Sequence, residues 1–198
     1  TGKLPNYCIS DECLYFDNAH NLLKGEYQDP FIDRLVSPGH SLVILPLLFL
    51  DLGRISVVFQ NITFGSLTVL LTYLTSKYYF SNKTAFFTAL IWGFYYIHYE
   101  QLFSALTEPL AAFLIILSCY ILHRINSHKN KINILYLGFS LGLLCLTKPI
   151  FVYVIILLII SNIGYLFFNK KSLSTLLSLI IAFAMTIPYQ AYTFRETG

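Results

Sequence analysis

The chain has 198 residues, of which 56% are hydrophobic and 12% charged, with a formal net charge of +3. Soluble domains carry about twice that share of charge, and a mean hydropathy of +0.64 is too apolar for a solvated surface. The apolar residues fall in blocks, as bilayer-spanning helices require, and no basic stretch interleaves with aromatics on a polar face, which argues against a nucleic-acid partner.

The chain opens with a comparatively polar stretch, residues 1 to about 55, without a signal peptide. Within it Asp11–Leu23 has helical spacing: Tyr15, Phe16, Ala19, Leu22 and Leu23 share one arc of about 120°, with Asp17, Asn18 and Asn21 opposite. This predicts an amphipathic helix on the membrane surface, capped by Ser10 or Asp11 and ending near Gly25. Next comes the apolar block Ser41–Leu50, led by Pro38-Gly39 and interrupted by Pro46. It is too short to cross a bilayer and reads as interfacial or re-entrant.

Six longer apolar segments come after it: Ser56–Ser76, Thr84–Phe103, Pro109–Leu122, Ile132–Leu146, Ile150–Phe168 and Leu173–Gln190. A span takes about 20 residues at about 1.5 Å each, so the third and fourth need flanking residues to reach both surfaces. The charges agree with six crossings. Lys77 and Lys83, then Arg124, Lys129 and Lys131, then Lys170 and Lys171 fall in three short loops on one side, with no carboxylate among them. All ten acids fall on the other side. By the positive-inside rule the cationic loops are cytoplasmic. The predicted fold is therefore all-α: a polytopic transmembrane helix bundle over residues 56–198, preceded by an external loop, residues 1–55, carrying juxtamembrane helices. The chain starts at Thr1 and stops soon after an apolar segment, which reads as a piece of a longer protein.

Smaller signals have structural readings. Gly138 and Gly142 form a GxxxG, read as helix packing. Cys119 and Cys145 lie in apolar helices and read as packing residues, while Cys8 and Cys13 are near enough to pair in an oxidising space. The sequons at Asn61-Ile62-Thr63 and Asn82-Lys83-Thr84 fall within a span and on the cytoplasmic side, so neither is a glycosylation site.

The residues that carry chemistry lie on the external side. Asp11 and Glu12 suit a helix N-terminus; on the helical wheel they also flank the apolar arc, and a carboxylate held there is a candidate general base. Thr107-Glu108-Pro109 reads as a helix start. Lys148, in the short external turn Lys148-Pro149, either snorkels to the interface or binds a lipid phosphate. Arg195 has the same capacity by bidentate pairing. His40, His98 and Glu100 show no metal-ligand spacing.

Taken in order, these pieces carry a resemblance. Asp11-Glu12-Cys13-Leu14-Tyr15 opens a helix that ends near Gly25. Ser37-Pro38-Gly39-His40 leads a short apolar block ending Asp51-Leu52-Gly53. Later come Thr107-Glu108-Pro109-Leu110, Leu146-Thr147-Lys148-Pro149, Ile187-Pro188-Tyr189 and Arg195. The set resembles the N-terminal half of GT-C membrane glycosyltransferases, in particular the branch of protein O-mannosyltransferases, aminoarabinose transferases and related bacterial lipid-glycan transferases. The resemblance implies an inverting transfer from a polyprenyl-phosphate sugar to a lipid, glycan or protein acceptor, on the extracytoplasmic face of a membrane, here a bacterial plasma membrane. It matches Asp11 to the catalytic acid, with Glu12 beside it. Lys148 and Arg195 are matched to the donor phosphate, and Glu108, Tyr15 and His40 to the cavity lining. Arg195 departs from the usual aromatic-x-x-Arg spacing after the proline. No cofactor is implied for certain, and a divalent metal is left open. The competing class is a transporter or lipid flippase, whose mark would be ionisable residues or broken helices at mid-membrane; every acid here lies outside the expected spans.

Overall fold

A computed structural model describes residues 11–25, 37–48, 54–96, 101–103, 106–127, 131–166 and 172–197. Among these the chain is helical without strands: α1 Asp11–Leu23, α2 Pro38–Leu48, α3 Arg54–Ser76, α4 Asn82–Gly93, α5 Glu108–Ser127, α6 Lys131–Thr147, α7 Ile150–Leu166 and α8 Ser172–Thr197. The predicted all-α membrane bundle is what is found. Three helices are long and apolar enough to cross a membrane, over Ile55–Ser76, Glu108–Ile125 and Leu173–Arg195; α2, α6 and α7 are shorter apolar helices.

Local chemistry sets the boundaries. α1 stops where the Lys24 and Gly25 amides donate back to Asn21 and Leu22, with Gly25 at φ +81°, a conformation cheap only for glycine. α2 begins on Pro38, whose missing N–H costs nothing in a first turn; its 11 residues span about 16 Å, too little for a crossing. α4 is capped by Ser81, whose hydroxyl accepts from the Thr84 amide at 3.2 Å. The α6–α7 break falls at Lys148-Pro149, because proline pushes its predecessor out of the helical region.

Some sequence expectations are corrected. A continuous helix over Thr84–Phe103 is not formed: α4 ends at Gly93. Glycine is the poorest helix former after proline, and the next three residues, the aromatics Phe94, Tyr95 and Tyr96, are all exposed. α5 runs past Leu122 to Ser127, and α8 runs through Pro188 well beyond Gln190. Cys145 is buried, but Cys119 faces outward. Cys8 and Ser10 lie outside the described residues, and so does the side chain of Cys13.

α6 is the centre of the packing. On one face it meets α5, where Leu110, Ala111, Leu114 and Leu144 form one cluster and Ile121, Ile125 and Leu137 another. Between them the Ser118 and Ser140 hydroxyls bond at 2.9 Å. This pairing is antiparallel. On its other face α6 meets α8 in parallel: a Cβ on Gly138 would lie 2.7 Å from Ile181, and one on Gly142 2.6 Å from the Met185 sulfur. The GxxxG is thus the groove that receives α8, where small residues let backbones approach. α3 runs parallel to α5, with Phe64 stacked on Phe113 at 5.1 Å, and α4 returns beside α3, with Gly93 against Val69. α7 packs through Ile155, against Cys145 and Leu179. Its Ile150, Tyr153, Leu157 and Ile160 are exposed, a face made for lipid or a further apolar element.

These directions sort the charges. The ends of α3 and α5 and the starts of α4 and α6 bring Lys77, Lys83, Arg124 and Lys131 to one end of the bundle. Glu108, Lys148, α1 and the start of α2 lie at the other.

Candidate active site

The site forms where the start of α5, the α6–α7 turn and the start of α2 converge. The Lys148 ammonium donates to Glu108 Oε1 at 2.6 Å. The two side chains are 35% and 36% exposed, so this pair is held yet open to a ligand. An ammonium has three donors, and only one is engaged by Glu108. Glu108 Oε2 is buried and takes no hydrogen bond from the described protein groups. His40 lies within electrostatic reach of that carboxylate.

α2 presses its first turn onto the last turn of α6. The Ser37 hydroxyl donates a hydrogen bond to the Leu146 carbonyl. A Cβ on Gly39 would lie 2.5 Å from Leu146 C and Thr147 N, so only glycine permits this approach. The contact pins the backbone immediately before Lys148. The Ser37-Pro38-Gly39-His40 and Leu146-Thr147-Lys148-Pro149 segments, over a hundred residues apart, are therefore one structural unit.

α1 docks on α2 in turn. Phe16, Ala19, Ile44 and Val57 form a buried cluster with α2 and the start of α3. Ser41 donates to the Tyr15 carbonyl at 3.1 Å and accepts from the Asn18 amide at 3.3 Å. The Tyr15 ring meets His40 edge-on at 5.1 Å, and His40 is fully buried. Here the wheel misassigned a residue: Asn18, expected on the water-facing side, is buried. Its short polar side chain faces Ser41 of α2, a partner that helical spacing within α1 does not reveal. Ser37, Ser41 and Asn18 are accordingly the positioning residues that sequence reasoning left out. Only Ser37 carried a signal, as part of its motif.

Asp11 and Glu12 form the first turn of α1, so they sit on the helix that Tyr15 fastens beside His40; their side chains lie outside the described part of the structure. Arg195 is exposed in the last turn of α8. From the Gly138–Ile181 and Gly142–Met185 pairings, Thr147 lies level with Gln190. Arg195 is therefore about 7 Å further along the axis, at the same end as Lys148 but not in contact with it. Among the described residues no three His, Cys, Asp or Glu side chains converge as metal ligands would.

The family model that matches the chain makes this apolar helical bundle, with its tethered, half-open lysine at one end and helices docked over it, a membrane glycosyltransferase of the GT-C type. The chain belongs to the dolichyl-phosphate-mannose-protein mannosyltransferase family, whose model matches residues 42–192. No curated protein and no solved structure matches it.

Proposed function

We propose that this chain forms the donor side of an enzyme that moves a sugar from a polyprenyl-phosphate carrier to an acceptor hydroxyl on the extracytoplasmic face, with inversion. The observation that carries this reading is the Lys148–Glu108 pair, held at 2.6 Å yet one-third exposed. It lies at the end of the bundle where α1 brings the backbone of Asp11 and Glu12. The family membership supports a lipid-linked donor, and the cationic opposite end supports an extracytoplasmic site.

In this reading the acceptor hydroxyl gives its proton to Asp11, with Glu12 beside it, as its oxygen bonds to the anomeric carbon. The bond from that carbon to the phosphate oxygen breaks, and the electron pair leaves on the phosphate. Lys148 stabilises the charge that develops there, with Arg195 near enough along α8 to share it. Glu108 keeps the lysine in place without using all its donors. Tyr15 and His40 hold α1 against α2 and thereby line the site. The acceptor is a lipid, glycan or protein, and the membrane is a bacterial plasma membrane.

The test compares two variants of the full-length protein with a polyprenyl-phosphate sugar as donor. Asp11→Asn should lower the transfer rate about 10²–10⁴-fold and leave donor binding nearly unchanged. Lys148→Ala should weaken both binding and rate, since a cation beside the phosphate acts in ground and transition states alike. Near wild-type turnover in Asp11→Asn and Glu12→Gln together would refute the assignment of the base.

A further inference from the structure

We propose that the cationic end of the bundle is a binding site for the headgroup of an anionic phospholipid, formed by Lys77, Tyr78 and Tyr79 after α3 with His123 and Arg124 of α5. It is distinct from the Lys148 site, at the opposite end.

The geometry is a bridge of rings between two helix ends. Tyr78 stacks on His123 with centroids 3.7 Å apart. Tyr79 meets the same imidazole edge-on at 5.6 Å, and Tyr120 lies 6.0 Å from Tyr78. The cations flank this bridge: the Arg124 guanidinium lies 5.9 Å from the Tyr120 ring, and the Lys77 ammonium lies 5.3 Å from the ring of Tyr73, one turn back on α3. Lys77, Tyr78, Tyr79 and Arg124 are exposed. The acids whose side chains are described, Asp17 and Glu108, are both at the other end, so no described carboxylate neutralises this ledge.

The plainer account is that cations favour helix C-termini and snorkel to the interface. That explains Lys77 and Arg124 separately. It does not explain the bridge of stacked rings that joins the two helix ends beside those cations. The ligand chemistry comes from the parts. A phosphodiester supplies the acceptor oxygens that a guanidinium fork and an ammonium take up, and half-exposed tyrosines suit the headgroup level. Phe80 follows Tyr79 directly in the chain and is exposed, as are Phe86 and Phe87 near the start of α4, apolar surface of the kind acyl chains cover. Exposed apolar rings next in the chain to the cations favour a lipid over a soluble anion.

The test uses the full-length protein in nanodiscs of phosphatidylcholine with a minor share of phosphatidylglycerol, reading retained lipid by native mass spectrometry after release. Each cation near an anionic surface contributes about fivefold, so Lys77→Gln with Arg124→Gln should lower phosphatidylglycerol enrichment about 25-fold. Lys77→Arg with Arg124→Lys, which keeps both charges, should retain it. Lys24→Gln, at the other end, is the control for loss of a cation elsewhere on the protein. Undiminished enrichment in the double Gln variant, or an equal loss in Lys24→Gln, would overturn the proposal. Displacement of the bound lipid by inorganic phosphate would do the same, since it marks a soluble-anion site.

Discussion

Gly39 offers the sharpest test of how the site is built, because one methyl group there strikes backbone. The added Cβ would lie 2.5 Å from Leu146 C and Thr147 N and 2.6 Å from Leu146 O. Ordinary contact begins near 3.4 Å, so α2 must retreat by about 1 Å, and overpacking of that kind costs about 1–3 kcal/mol. The retreat also stretches the Ser37–Leu146 hydrogen bond, whose loss adds about 1 kcal/mol. Gly39→Ala should therefore lower the thermal midpoint of the full-length protein, by about 2–4 °C per kcal/mol for a chain of this size. The control is the same substitution at Gly164 in α7, where a Cβ would meet nothing within 4 Å. There alanine's better helix propensity should raise stability by up to about 1 kcal/mol. Opposite signs from one chemical change, read in one detergent by one unfolding assay, isolate the contact from the residue type. A Gly39→Ala protein as stable as wild type would refute the claim that α2 is locked onto the end of α6.

Glu108→Gln keeps shape but removes charge. Because the ion pair is part-exposed, the stability change should stay within about 1 kcal/mol, whereas steady-state kinetics should show a lower donor KM and a lower kcat as Lys148 is freed and loses its anchor. In the α6–α8 groove, Gly138→Ala should destabilise more than Gly142→Ala in chemical denaturation. The first clashes with Ile181 Cβ and the Ser178 carbonyl, the second with a flexible Met185 side chain. A single cysteine at Asn130 should resist an impermeant thiol reagent added to intact cells and one at Lys24 should react; the reverse pattern would invert the topology.

Much of the architecture was legible because lipid imposes simple rules. Apolar length marked most of the helices, the turn at Lys148-Pro149 came from proline, and the bounds of α1 came from its periodicity and Gly25. The misses have a common cause. Whether a helix survives a glycine, as α4 does not at Gly93, depends on what the next residues pack against. Whether Asn18 faces water depends on Ser41 of another helix. The GxxxG announced a close packing, but not that α8 fills it. At the candidate site, Glu108 and Lys148 each had an adequate local explanation, as a helix start and a snorkelling lysine. Their pairing across 40 residues is a tertiary fact that no local pattern contains.

The parallel α6–α8 pairing has a consequence for biosynthesis. Gly138 and Ile181 touch, yet the whole of α7 is made between them. At about 5–20 residues per second, α6 emerges roughly 2–9 seconds before the side chains that fill its glycine groove. For that interval the groove is solvated by acyl chains, and α7, with its outward apolar face, is threaded before either neighbour is fully paired. The stretch ending at Lys148 is thus laid down early on a half-finished wall, and it acquires this backing only when α8 arrives.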